Sequence, residues 1–240
     1  YKISPKGFFP IQQVSPEDVN ESFYIKNDRG IPELVHASAR TYKYLAEQVP
    51  AMKAEKFITT TEDYIAKVDF EISNVQFPGQ IRTDFNSTWP KIVKQLMDDE
   101  NFGRFFNKSG YGKNLLPVIL KGETAPEVQT LLIYNYVKKA LKWNEVYSKY
   151  TTATQVKNVF EKKSGNSADI NLSLLSLLKE AKISASPILI STRENGQHPG
   201  HPIISKFNNV IVQVEIGDKK LLLDASDRYL TENLLDFQNL

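Results

Sequence analysis

The chain has 240 residues, 41% hydrophobic and 24% charged, with 30 Lys and Arg against 28 Asp and Glu and no cysteine. That length fits one large or two modest domains and can bury a core without staples. The composition excludes wholesale disorder, the net charge of +2 argues against nucleic-acid binding through a basic surface, and the missing cysteine excludes disulfides, Cys-ligated zinc, iron–sulfur clusters and a thiol nucleophile.

The chain begins at Tyr1 without a charged-then-apolar leader, which fits a mature form or an excised fragment; both ends read as cut from a longer chain. The first part reads as β. Phe23, Tyr24 and Ile25 form a short strand within Ser22–Lys26, and Leu34 to Leu45 is rich in β-branched and aromatic residues. Ala66, Val68, Phe70 and Ile72 alternate with polar residues, the period of a half-buried strand. Phe77-Pro78-Gly79-Gln80 is a turn signal and a candidate boundary. We therefore expect a β-rich segment over 1–78, the end of a β-sandwich, and a second domain over 79–240.

The second domain opens with helices. Ser87 or Thr88 followed by Trp89-Pro90 is an N-terminal cap with a proline in the first turn. Further helices are expected at about 126–142, 153–162 and 167–181. The last is apolar on nearly all sides (Ile170, Leu172, Leu174, Leu175, Leu177, Leu178), so it should be buried on most of them. Strands are expected at 187–192, 209–216 and 219–224, the last two joined as a hairpin through Gly217-Asp218. No run is long enough to cross a membrane as a helix.

The familiar phosphate, dinucleotide, zinc-protease and serine-hydrolase motifs are absent. His198-Pro199-Gly200-His201 pairs two imidazoles without further metal ligands nearby, and reads as an exposed loop. Lys108 to Lys113 has neither the spacing nor the preceding strand of a phosphate loop and reads as a flexible connector. One constellation stands out. Ser167 opens the buried helix, Asn209 begins one strand, and Asp224 ends the next. Helix N-terminus and two neighbouring strands are where a Cys–His–Asp triad sits in papain-like folds.

These residues resemble the transglutaminase-like superfamily. Gly165-Asn166-Ser167-Ala168-Asp169 and the leucine-rich run to Pro187 are similar to its Gly-Asp-Cys-Lys-Asp stretch and following helix. Phe207-Asn208-Asn209 resembles its Phe-Asn-His strand, and Leu223-Asp224-Ala225-Ser226-Asp227 its Leu-Asp-Ala-Thr-Asp. Val49 to Glu55, Thr61 to Tyr64 and Val68 to Phe70 resemble exported bacterial proteins in which a β-sandwich domain of unknown function precedes that core. The resemblance implies an α+β fold with a papain-like core, a buried helix against an antiparallel sheet, and export to the periplasm or outer-membrane surface.

Ser167 and Asn209 stand where the family has its nucleophilic Cys and its base His; Asp224 alone is retained. A serine hydroxyl needs a base to become a nucleophile, and an amide is not one. The expectation is a pseudoenzyme, a binding or scaffolding module for a peptide, protein or glycan or for other domains of the same chain. Trp143 resembles a groove aromatic of the family. In the plain alternative, Ser167 caps or opens the helix, Asn209 bonds at a strand start, Asp224 holds a turn and Trp143 packs in the core. The catalytic alternative is acyl transfer or hydrolysis by Ser167 with an unorthodox base, such as His198 or His201. A purely structural module with a filled cleft is the third reading. No cofactor is implied, since no acidic loop has calcium-ligand spacing.

Overall fold

The computed structural model describes residues 12–26, 29–47, 49, 51, 53, 58, 60–65, 72, 74–76, 81–84, 88–107 and 109–227. The chain divides into two compact units, 1–71 and 72–240. The alternating run from Ala66, the turn at 77–80 and residue Ser87 fall almost wholly outside the described residues.

In the first unit, β1 (Gln12–Lys26) and β2 (Pro32–Leu45) form an antiparallel ribbon. Both contain the strands expected from sequence. β1 begins ten residues earlier than expected, because Gln, Ser, Pro, Glu and Asp hide its first half. The register shifts between Val14 and Glu17, where Pro16 has no N–H to give the ladder. Pairing sorts the side chains by face. Val19 opposes Ala39 and Phe23 opposes Val35 on one face; Asp18 opposes Arg40 and Ser22 opposes His36 on the other. Arg40 donates to Asp18 through two nitrogens at 2.6 and 3.0 Å.

The second unit starts with a short pairing of β3 (Asn74–Val75) and β4 (Thr83–Asp84). Helix α1 (Trp89–Asp98) is capped by the Thr88 hydroxyl, with Pro90 in its first turn. Two helices follow that periodicity did not reveal, α2 (Gly103–Asn107) and α3 (Gly112–Leu120). The first is barely more than a turn, and Pro117 interrupts the pattern of the second. The expected connector is thus corrected: Gly112 and Lys113 already belong to α3. Gly103 is required where it stands, because a Cβ there would overlap the Met97 backbone.

Then come α4 (Pro126–Ala140), β5 (Lys142–Trp143), α5 (Val156–Lys162) and β6 (Ser164–Gly165), with β5 and β6 paired in parallel. Helix α6 (Ser167–Glu180) follows, and every residue from Ser167 to Leu178 is buried. It packs against α2, α3, α4, α5, β7 and β8. Strands β7 (Ser184–Ile190), β8 (Asn209–Ile216) and β9 (Lys219–Leu223) make an antiparallel sheet with β8 in the centre. β7 begins three residues before the expected strand. Its Pro187 fits because β7 is an edge, where a missing N–H disrupts no further ladder. The turn between β8 and β9 uses Gly217 at φ 58°.

Ile170, Leu174, Leu175, Leu177 and Leu178 join Val210, Val212, Val214 and Leu223 in one core. The expected α+β class, with a buried helix on an antiparallel sheet, is the class observed. Leu175→Ala should cost about 2–5 kcal/mol in urea denaturation, since a helix enclosed on all sides cannot collapse onto the cavity. Val118→Ala, on an exposed position of α3, should cost well under about 1 kcal/mol.

Candidate functional site

The N-terminus of α6 explains its own motif. Asn166 caps the helix by accepting from the Asp169 N–H at 2.7 Å, and the Asp169 carboxylate accepts from the Asn166 N–H at 3.0 Å. This reciprocal capping box satisfies two amides that the first turn would otherwise leave unpaired. Gly165 leaves room for it, because a Cβ there would fall 2.5 Å from the Asp169 Cβ. Asp169 also accepts from the Thr152 N–H and hydroxyl, at 2.9 and 2.8 Å, and from the Ala153 N–H at 3.1 Å. A buried carboxylate with four donors holds the incoming segment against the helix.

Ser167 belongs to the same lattice. Its hydroxyl donates to the Ser148 carbonyl at 3.1 Å and accepts from the Ser148 N–H at 2.9 Å. Its own N–H donates to the Val146 carbonyl. The residue is 0% exposed. It is the first helical residue, next to the cap, and its hydroxyl bridges to the loop at Ser148.

Asn209 is also 0% exposed, and its side-chain oxygen accepts from the Val210 N–H at 2.8 Å. Asp224 is 2% exposed and accepts from the Ser226 N–H at 2.9 Å and from the Ser226 hydroxyl. Ser167 makes no hydrogen bond to either residue. Asn171 makes the connection from the helix. It lies one turn after Ser167, and its amide donates to the Val210 carbonyl and to Asp224 Oδ1, both at 2.9 Å. Its oxygen accepts from the Ala225 N–H at 2.8 Å. The Tyr134 hydroxyl then donates to the Asp224 carbonyl at 3.0 Å. Sequence reasoning missed Asn171 and Ser148. A polar residue four positions after Ser167 in a leucine-rich helix was the available signal for the first.

Neither loop imidazole makes a hydrogen bond to Ser167. His198 stacks on Phe207 with centroids 4.4 Å apart and lies 5.7 Å from the Trp89 ring. Its Nδ1 accepts from the Gly200 N–H, so its Nε2 carries the proton and donates to the Ile203 carbonyl. Lys149 secures the same loop by donating to the Phe207 carbonyl at 2.8 Å, and burial holds its ammonium below its ordinary pKa. Asn208 ties the loop's ends together by bonding Thr192 on both its N–H and hydroxyl. Trp143 donates from Nε1 to the Val146 carbonyl and packs on Tyr147. Among the described residues, no group of three or more His, Asp or Glu is placed to hold a metal ion.

No family model and no curated protein matches the sequence. Solved structures do resemble the fold. A Parabacteroides distasonis protein described as a candidate protease aligns at TM-score 0.50 and 14% identity, over 90% of this chain and 38% of its own. A Cytophaga hutchinsonii protein described as a candidate cysteine protease aligns at TM-score 0.38 and 10% identity, over 90% of this chain and 66% of its own. The chain thus spans less than half of the first structure. At this identity the likeness to the first is one of fold.

Asn171→Asp should place a second carboxylate against Asp224 and remove two donors. It should cost about 3 kcal/mol or more in chemical denaturation near neutral pH. Asn171→Leu, which removes the amide without adding a charge, should cost less than Asn171→Asp.

Proposed function

We propose that the chain is a catalytically inactive, transglutaminase-like scaffold of an exported bacterial protein. The observation that carries this reading is the state of Ser167. Its hydroxyl is occupied as both donor and acceptor by one backbone unit, that of Ser148. A nucleophile needs a base on its proton and room for a reacting carbonyl. Ser167 has a carbonyl in place of the base, and it is buried.

The other two positions support the same reading. Asn209 has no titratable nitrogen, and its oxygen is engaged by the strand's own backbone. Asp224 is bound to Asn171 and Ser226 rather than to an imidazole. Residues of a would-be triad have become struts that join the helix, the 144–155 segment and the sheet. Within that reading, the third alternative of the sequence, a module with a filled cleft, fits these buried side chains better than a groove opening at Ser167. Its partners would be neighbouring domains of the same longer protein.

A fluorophosphonate probe tests this. Incubation of the folded protein should leave Ser167 unlabelled in intact-mass spectrometry, as it leaves Ser167→Ala. Stoichiometric labelling mapped to Ser167 would overturn the proposal in favour of acyl transfer or hydrolysis with an unorthodox base.

A further inference from the structure

A cleft of about 780 Å³ opens in the second unit between α2, α3 and the start of α5. That size is in the range of small-molecule and oligosaccharide sites. Half-buried Leu115 and Tyr111 supply its apolar surface, beside the buried Phe105 and Val156. Around them stand Asn101, Asn114 and Gln155, whose side-chain amides make no hydrogen bond within the described protein. Gln155 occupies the cap position of α5 without capping it. Tyr111 completes the wall, its ring stacked at 5.1 Å on Phe160.

The walls are held by part-buried hydrogen bonds, which form the cleft in advance. Thr151 donates from its N–H and its hydroxyl to the Asn101 carbonyl, at 2.9 and 3.2 Å. The next residues, Thr152 and Ala153, are fixed by Asp169. Asn101 on one wall and Thr154-Gln155 on the other are thereby tied to the same lattice as Ser167. Pre-organisation lowers the ordering cost of binding.

The charges of the lining are already paired. Arg104 lies 3.5 Å from Glu100, and Lys157 lies 3.6 Å from Glu161. The exposed side chains left to meet a ligand are neutral and amphoteric. Each amide offers a donor and an acceptor on one plane, which matches vicinal hydroxyl groups, while the apolar surface and the tyrosine suit the C–H faces of a sugar ring. The walls are helices and loops, without a strand edge for an extended peptide to pair with.

We propose that this cleft binds a neutral oligosaccharide, with Asn114 and Gln155 reading hydroxyl groups and Tyr111 flanking a ring. The site does not depend on the chemistry of Ser167 and stands or falls separately from the inactive-scaffold reading. The test is titration of the ¹⁵N-labelled protein with maltohexaose, cellohexaose and chitohexaose, and with a pool of neutral hexapeptides. At least one saccharide should shift the side-chain amide signals of Asn114 and Gln155, with a Kd of about 1 mM or tighter. The double variant Asn114→Ala/Gln155→Ala, which alters only exposed side chains, should keep its Tm and weaken that saccharide about tenfold or more. The proposal is overturned if no saccharide moves these signals, if the double variant binds as tightly, or if the hexapeptides alone engage the cleft.

Discussion

A helix enclosed on all sides can carry polar side chains only where each finds a partner inside the protein. Helix α6 carries six over its buried length: Ser167, Asp169, Asn171, Ser173, Ser176 and the capping Asn166. Four of them reach outward to other elements: Asn166 donates to the Tyr150 carbonyl at 3.0 Å, and the other three connections organise the unit. Asp169 fixes the chain at Thr152 and Ala153, Ser167 fixes it at Ser148, and Asn171 fixes the start of β8 and the end of β9. The leucines supply the driving force for burial, of order 1.5–3 kcal/mol for each side chain. The polar groups decide what is buried against what.

That division of labour bears on function. On the proposed reading, the positions that hold a nucleophile, a base and an orienting carboxylate in a transglutaminase-like enzyme here position loops instead. A buried helix N-terminus supplies amides and a favourable dipole whether or not anything reacts there. On the proposed reading, the burial and the hydrogen bonds at Ser167 and Asn209 serve stability, so the local motif would persist without catalysis. The fold likeness to a candidate protease is compatible with either outcome, because function lives in the site and not in the architecture.

Much of this arrangement was legible in the sequence. The continuous leucine pattern of 170–178 marked α6 as buried, and Gly217-Asp218 between apolar runs marked the final hairpin. Ser167 and Asp224 stood out because each stands at an element boundary, Ser167 as the first helical residue after the Asn166 cap. Helices α2 and α3 were not legible, because five residues are too few for periodicity and Pro117 argues against a helix that tertiary packing nevertheless imposes. Ser148 was invisible for a different reason. It contributes its backbone to Ser167, and no side-chain pattern announces a backbone contact across 19 residues. The cleft was missed likewise, since its lining comes from three separate stretches whose amides read singly as ordinary surface.

The central claim is that Ser167 is a strut whose hydroxyl is locked to the Ser148 backbone. Amide hydrogen exchange at Ser148 measures this directly. The account predicts that this N–H exchanges as slowly as the amides in the middle of α6, and that in Ser167→Ala it exchanges faster by orders of magnitude while the β8 amides stay protected. Rapid exchange at Ser148 in the unaltered protein would contradict it, and would leave the Ser167 hydroxyl available for another role.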